Sequence, residues 1–120
     1  MKNLKIIFIC IFFLVGCGKN RPPVGILGED KMVDILIDIH LAEGLVSTFP
    51  IPYDSSRKLY PYLETEVFSK HQVPDSVFTQ SLEYYMRDPA IMDRLYARTI
   101  DSLNVYEKVG NLKSTDALPE

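Results

Sequence analysis

The sequence predicts an all-α fold, a small bundle of about four helices. Apolar residues recur at spacings of three and four along several segments, which is the period of an amphipathic helix. No segment shows the sustained alternation of apolar and polar residues that is typical of a half-buried strand. Proline, aspartate and glycine separate the periodic segments, and these residues end one helix and begin the next. Together these observations favour helices packed around a single core.

The bundle is expected to follow a cleaved lipoprotein signal peptide. Lys2 and Lys5 precede a short apolar run at residues 6–15, and a glycine stands directly before Cys17. The segment Leu-Val-Gly-Cys resembles the bacterial lipobox, in which the cysteine is acylated and the preceding peptide is removed. We therefore expect residues 1–16 to form the signal peptide and Cys17 to be the lipid attachment site.

Two alternative interpretations of this segment fit less well. A transmembrane helix needs about 20 apolar residues, which is twice the length of this run. The glycine and prolines that follow, Gly18, Pro22 and Pro23, cannot continue a membrane helix. If Cys10 were acylated instead, Ile9 would precede the cleaved bond, and isoleucine is too large for the cleavage pocket. Because Cys10 leaves with the signal peptide, the mature chain is predicted to have no free thiol and no disulfide.

Residues 17–25 are predicted to comprise the acylated cysteine and a short tether. An extended chain spans about 3.3 Å per residue, so the eight residues after the cysteine reach roughly 25 Å. A cysteine carrying several acyl chains is expected to bind a membrane permanently, since one chain binds only marginally. The helical domain at residues 26–109 is therefore expected to lie close to a membrane.

The first predicted helix, residues 29–46, is apolar over most of its circumference. One face shares helical spacing and consists of Met32, Ile35, Leu36, Ile39, Ala42 and Val46. A second apolar row consists of Val33, Ile37, Leu41 and Leu45. The opposite, polar face consists of Asp30, Lys31, Asp34 and Asp38. So wide an apolar surface is typical of a helix at the centre of a bundle.

Prolines and a glycine delimit the remaining elements. Residues 48–54 are predicted to be a loop that folds back on the bundle. The second helix covers residues 56–71, and Pro61 either kinks it or lies in its first turn. The third helix covers residues 75–87. The inward residues of these two helices are predicted to be Leu59, Leu63, Val67, Phe68, Phe78, Leu82 and Tyr85.

The fourth predicted helix has the clearest start signal. Asp88 suits the N-cap and Pro89 suits the first helical position. Gly110 is predicted to end this helix, and residues 110–120 are predicted to form a flexible tail. The inward residues are predicted to be Met92, Leu95, Tyr96, Thr99, Leu103 and Tyr106.

Composition excludes several classes of function. Removal of Lys2 and Lys5 with the signal peptide leaves 11 basic against 16 acidic residues, a formal charge of −5. An acidic domain without basic clusters is a poor nucleic-acid binder, so no nucleic-acid partner is expected. The sequence contains no glycine-rich phosphate loop, nucleophile elbow or HExxH motif. We therefore expect no catalytic residue, no cofactor and no enzymatic activity.

Three polar residues form the candidate ligand site. On a helical wheel Glu43 lies within the apolar stripe, His40 lies one turn earlier, and His71 ends the second helix. A buried carboxylate needs a partner, and these groups together are able to bind a metal or a small ligand. The favoured interpretation is structural, because metal sites usually show denser ligand spacing. In that interpretation Glu43 pairs with a neighbouring side chain and His71 caps a helix, and no metal is bound.

Four residues form the candidate partner surface. The loop residues Phe49, Ile51 and Tyr53 are unusually apolar for a loop, and Tyr84 points away from the face that contains Tyr85. Tyrosine is favoured at protein interfaces. A tyrosine that covers the edge of the bundle is the alternative for Tyr84.

Several short motifs resemble a family of small Bacteroidota lipoproteins that is defined by a domain of unknown function, DUF4296. The resemblance covers about residues 22–103. It consists of Pro22-Pro23, Leu27, Lys31-Met32, Asp38-Ile39-His40-Leu41-Ala42-Glu43, Phe68-Ser69-Lys70-His71, Phe78, Ser81-Leu82, Tyr84-Tyr85 and Pro89. Gln72 stands where a glycine is typical, so the second helix must end with a strained left-handed residue or a different turn. Pro74 stands where a serine or threonine cap is usual.

The resemblance implies an envelope location but no mechanism. In such bacteria an acidic run after the acylated cysteine resembles an export address, and Gly18-Lys19-Asn20-Arg21 lacks it. We therefore expect the periplasmic face of the outer membrane. The expected function is a non-enzymatic interaction module of an envelope complex, with a membrane and an envelope protein as partners. The alternative is a ligand- or metal-binding protein that uses His40, Glu43 and His71, and a hydrolase ranks below both.

Overall fold

Four helices make up most of the part of the chain that the computed structural model describes, residues 21–115. They are α1 (Glu29–Thr48), α2 (Tyr53–His71), α3 (Asp75–Met86) and α4 (Pro89–Thr115), and residues 21–115 contain no strand. The all-α prediction is therefore confirmed. Within the same range no helix is long and apolar enough to cross a membrane. The predictions for residues 1–16 and for Cys17 concern residues outside those described.

Helix α1 is the centre of the bundle and contacts each of the other three helices. Its predicted inward face is confirmed, because Met32 and Ile35 have no exposed surface and the neighbouring positions are buried or half-buried. The core around α1 is completed by residues of the other helices and of one turn, Val67, Phe68, Val73, Phe78, Tyr85 and Leu95. The rings of Phe68 and Phe78 lie 5.3 Å apart and join α2 to α3.

The second apolar row of α1 changes character along the helix. Val33 and Ile37 are buried, whereas Leu41 is 45% exposed and Leu45 is 49% exposed. The prediction that this row packs centrally is therefore correct only for its first half. A helical wheel identifies residues that share a face, but here the neighbouring helices cover that face only along the first turns of α1.

Helix α2 begins earlier than predicted and runs through Pro61. Pro52 is its N-cap, and the carbonyl of Pro52 accepts hydrogen bonds from the amides of Ser55 and Ser56. Pro61 therefore does not lie in the first turn. The loop before α2 shrinks to residues 49–52. Its apolar residues do not fold back as expected, because Phe49, Ile51 and Tyr53 are all exposed.

The turn between α2 and α3 contains a left-handed residue, which is one of the two helix ends expected from the sequence. Gln72 has φ 54° and ψ 40°. The amide of Gln72 donates to the Ser69 carbonyl at 3.0 Å, and that of Val73 donates to the Phe68 carbonyl at 3.1 Å. This pair of bonds is a Schellman motif, which satisfies carbonyls at a helix end and is usually built on glycine.

Helix α4 starts where predicted and ends later than predicted. Asp88 Oδ1 accepts hydrogen bonds from the amides of Ala90 at 3.0 Å and Ile91 at 3.3 Å, which makes Asp88 the N-cap. The helix continues through Gly110 to Thr115, so the prediction that Gly110 ends it is wrong. Glycine inside a helix costs only about 1 kcal/mol relative to alanine, and none of residues 111–115 is a proline.

Two of the six residues predicted to face inward from α4 do not. Leu95 and Thr99 have no exposed surface, and Met92 and Leu103 are half-buried. Tyr96 and Tyr106, however, are both exposed. Residues 104–110 are exposed at every position, so this part of α4 extends beyond the helices that cover its first half.

The substitution Gln72→Gly is expected to stabilise the protein by about 1 kcal/mol, because glycine adopts the left-handed conformation without a steric penalty. The free energy of unfolding from urea denaturation measures this change. The matched control is Gln80→Gly, at an exposed position within α3, which is expected to destabilise by a similar amount. Equal destabilisation by both substitutions would contradict the expectation.

Candidate functional site

A pair of side chains on α3 fixes the segment that enters the bundle. Gly25, with φ 88°, occupies the third position of a turn closed by the amide of Ile26 and the carbonyl of Pro23 at 3.1 Å. The next residue, Leu27, donates its amide to Ser81 Oγ at 2.9 Å and accepts the Tyr85 hydroxyl at 2.7 Å. Both backbone groups of one residue are thus held, and the segment before α1 is fixed against α3.

Ser81 and Tyr85, which we call the Ser81–Tyr85 clamp, belong to one of the short motifs of the family resemblance. Ser81 is fully buried and also donates to the Val77 carbonyl at 2.7 Å, while Tyr85 is almost fully buried. Burial, and then the negative charge of Glu29, raises the pKa of the Tyr85 hydroxyl, so it remains a donor at neutral pH. Ser81 and Tyr85 are therefore structural, and neither is arranged as a nucleophile.

A second polar cluster joins α1 to the end of α2 and has Asp38 at its centre. Asp38 Oδ2 accepts hydrogen bonds from Lys70 Nζ at 2.7 Å and from His71 Nε2 at 2.6 Å. On its other side, His71 Nδ1 lies 3.3 Å from Lys31 Nζ. The side chains of Asp38 and His71 are only 18% and 11% exposed, so the histidine–aspartate pair is mostly shielded from water.

The hydrogen-bond donors around Asp38 favour the charged form of its carboxyl. Burial raises the pKa of the Asp38 carboxyl, but the hydrogen bonds from Lys70 and His71 outweigh burial and hold the pKa below its ordinary value.

His40 and Glu43 form a third group that does not include His71. His40 Nδ1 lies 3.0 Å from Glu43 Oε2, and the Tyr60 hydroxyl donates to Glu43 Oε1 at 3.3 Å. The expectation that Glu43 is buried is wrong, because its side chain is 49% exposed. Residues 38 and 43 point about 140° apart on a helix, so α1 meets His71 and Tyr60 on different sides.

The surroundings of Tyr60 are electrostatically negative. Burial, followed by the charges of Glu64 and Glu43, raises the pKa of the Tyr60 hydroxyl to about 12. Burial and the charges of Asp75 and Glu43 also raise the pKa of Glu64. Beside this group lies an open groove between α1 and α2, lined by Glu43, Val46, Ser56, Arg57 and Tyr60. Among the described residues no group of three potential metal ligands is close enough to hold an ion.

Large apolar side chains are exposed on both α1 and α4, and we call these residues the α1–α4 face. Leu41 and Leu45 lie on α1 and Phe49 directly follows its last residue, at four-residue spacing, and Tyr96 and Ile100 lie four residues apart on α4. The ring of His40, on α1, lies 6.3 Å from that of Tyr96. All five side chains are between 39% and 54% exposed.

The residues predicted to form the partner surface separate into two places. Phe49 belongs to the α1–α4 face, Ile51 lies in the loop that follows it, and Tyr53 is the first residue of α2. Tyr84 lies on α3, is half-buried, and packs edge-on against Tyr85 at 5.2 Å between ring centroids. The four residues therefore do not form one surface. Tyr84 lies at the edge of the bundle, which was the alternative interpretation of this residue.

Sequence reasoning missed the roles of Asp38 and Lys31. Both were expected on a solvated face, yet both meet the end of α2. Their spacing of seven residues places them on the same side of α1, and the charged pair Lys70-His71 follows 32 residues later. That spacing was the available signal, but only the packing of α2 on α1 makes it a contact.

The substitution Asp38→Asn is expected to destabilise the protein by about 1 to 3 kcal/mol at pH 7, because it leaves the donors Lys70 and His71 without a charged acceptor. The pKa of Asp38 is lowered on folding, so its contribution is present above the ordinary carboxyl range and is lost as pH falls through the folded-state value. Urea unfolding should therefore separate the variant from the parent at pH 7, and the difference should shrink as the pH falls through the acidic range. A difference that does not change with pH would contradict this account.

Comparison with known proteins shows the family. The model of a domain of unknown function, DUF4296, matches residues 23–109, which include all the polar clusters described above. No curated protein sequence and no solved structure matches the chain. Because the family model covers most of the chain, the protein belongs to the DUF4296 family.

Proposed function

We propose that this protein is a lipoprotein anchored at the periplasmic face of the outer membrane, where it acts as a non-enzymatic interaction module of an envelope complex. The observation that supports an interaction module is the α1–α4 face. Soluble domains rarely expose contiguous apolar surface unless it binds a partner. Tyrosine and large aliphatic side chains, as in Tyr96, Leu41 and Ile100, supply the apolar centre of many protein interfaces.

The position of the clamp is consistent with this role. Leu27 is held beside the start of α1, and the α1–α4 face includes the last turns of the same helix. A helix of 20 residues is about 30 Å long, so Leu27 and Phe49 lie at opposite ends of it. A domain tethered through Cys17 would then hold its apolar face at a distance from its attachment point, where an envelope protein has access.

The substitution Phe49→Ser in the full lipoprotein is expected to reduce capture of an envelope protein at least fivefold, because it removes an apolar contact from the face. Affinity capture after crosslinking in solubilised envelope, quantified by mass spectrometry, measures this loss. Tyr62→Ala is the matched control, since Tyr62 is an exposed aromatic residue of α2 outside the face. A Cys17→Ser form tests whether capture requires the anchor.

Unchanged capture by the Phe49→Ser variant would show that the α1–α4 face is not the partner surface. Retention of the Cys17→Ser form at the membrane in the same amount as the parent would remove the lipid anchor. These two outcomes are independent, so each one tests a single part of the proposal.

A small-ligand or metal-binding protein is the second candidate function. The observation that favours it is the contact of His40 with Glu43 beside the open groove that Tyr60 and Arg57 also line. His71 no longer belongs to this candidate, because its partners are Asp38 and Lys31.

Thermal unfolding with zinc, iron or copper salts distinguishes the two functions. An interaction module is expected to show no shift in melting temperature with any of these salts or after chelation. Metal present at one hundred times its dissociation constant would instead stabilise the fold by about 2.7 kcal/mol. A rise in melting temperature that Glu43→Gln abolishes and Glu66→Gln preserves would favour the second function.

A further inference from the structure

The open groove between α1 and α2 contains two opposite charges that do not pair with each other. Glu43 from α1 and Arg57 from α2 both line it, and Val46, Ser56 and Tyr60 complete the lining. Within residues 21–115 no ion pair joins Glu43 to Arg57. The groove has a volume of about 390 Å³, which is within the size range of small-molecule sites. Both charges are therefore accessible to a ligand that occupies the groove.

Arg57 and Ser56 supply hydrogen-bond donors to the groove. The guanidinium carbon of Arg57 lies 5.9 Å from the centroid of the Tyr53 ring, one turn earlier on α2. Contact with a ring leaves the N–H groups of a guanidinium able to donate, and their planar fork matches a carboxylate or a phosphate. The hydroxyl of Ser56 is a further donor. These two residues suit a ligand with an anionic group.

Carboxylates act on the part of the groove around Tyr60. Glu43 Oε1 accepts the Tyr60 hydroxyl at 3.3 Å, and Glu64 lies one turn after Tyr60, about 40° from it on a helical wheel. Burial, and then the charges of Glu64 and Glu43, raise the pKa of the Tyr60 hydroxyl to about 12, so both carboxylates influence this position. An ammonium group, which only donates, suits such a position. A ligand with only a negative charge would be repelled there.

We propose that this groove binds a small zwitterion, whose ammonium group meets Glu43 and whose singly charged anionic group meets Arg57. A simple anion would face the two carboxylates and a simple cation would face the guanidinium, whereas a zwitterion complements both charges. Two sources supply this chemistry: an amino acid or short peptide, which carries a carboxylate, and the headgroup of an ethanolamine phospholipid, which carries a phosphodiester.

The inference rests on the second candidate function, because it names the class of ligand for the groove beside His40 and Glu43. It does not involve the α1–α4 face. The interaction module and the zwitterion site are therefore tested by different variants.

Saturation-transfer NMR titrations of the full lipoprotein, in micelles of an uncharged maltoside detergent, measure the binding of dialanine and of glycerophosphoethanolamine. Each zwitterion is compared with its N-acetylated form, which lacks the ammonium group. Dialanine amide and ethanolamine are the references that lack the anionic group. We expect one zwitterion to bind at least threefold more tightly than both of its references. Tighter binding of dialanine identifies a peptide or amino acid as the source, and tighter binding of glycerophosphoethanolamine identifies a lipid headgroup.

Two charge-removing variants assign the ends of the ligand. Arg57→Gln should lower the affinity for the zwitterion at least threefold without lowering the affinity for the reference that lacks the anionic group. Glu43→Gln should lower it equally without lowering the affinity for the acetylated reference. Arg87→Gln and Glu66→Gln are the matched controls, because they remove the same charges at exposed positions outside the groove, and each should change the affinity by less than 1.5-fold.

The inference is overturned if neither zwitterion binds, if both bind no more tightly than their references, or if the controls weaken binding as much as the groove variants do. A rise in melting temperature with a metal salt that requires Glu43, without a preference for either zwitterion, would support the second candidate function as a metal-binding protein and refute the zwitterion. Reduced capture of an envelope protein by Phe49→Ser, without such a preference, would support the interaction module and equally refute the zwitterion.

Discussion

The fold depends on the burial of the first half of α1 on nearly all of its sides. Met32, Ile35, Leu36 and Ile37 point in different directions around the helix, and each is buried. No single neighbour can cover such a helix, so α2, α3 and α4 must pack around it. Each fully buried side chain of this size contributes about 1.5 to 3 kcal/mol relative to an exposed one. The central position of α1 is thus the largest constraint on where the other helices lie.

Polar contacts then fix the orientation of the helices that pack around α1. Apolar packing tolerates small rotations and shifts, whereas hydrogen bonds between shielded groups require specific distances. Asp38 holds the end of α2 through Lys70 and His71, and the Ser81–Tyr85 clamp holds the entering chain on α3. Three of the short motifs on which the family resemblance rests supply these contacts, which gives them a physical role that does not require an enzymatic activity.

The unequal lengths of the helices create the surface to which we assign the function. α3 has 12 residues, whereas α1 has 20 and α4 has 27. The bundle therefore covers α1 and α4 over part of their length, and the apolar rows of both helices continue beyond the covered part. Leu41 and Leu45 follow directly from Val33 and Ile37 in the same row, yet they are exposed. The same sequence pattern that builds the core thus also builds the α1–α4 face.

Local periodicity and punctuation predicted most of the secondary structure. The spacing of apolar residues predicted four helices and the inward residues of α2 and α3, and Asp88-Pro89 predicted the start of α4, because these signals act within one turn of the chain. The absence of a glycine at Gln72 left two expected helix ends, a strained left-handed residue or a different turn, and the structure has the first. The end of α4 was missed, since the lone Gly110 only weakens a helix.

Only the tertiary structure decided which faces are covered and which polar groups meet. A helical wheel placed Glu43, Tyr96 and Leu45 among apolar neighbours, but exposure depends on where the adjacent helices end. The helical wheel also allowed His71 to lie near His40 and Glu43. Because of the way α2 crosses α1, His71 instead lies beside Asp38. By itself the sequence determined the helices and the family motifs, because both are local. The candidate interface was decided by packing, because it depends on distances between segments that are far apart in the chain.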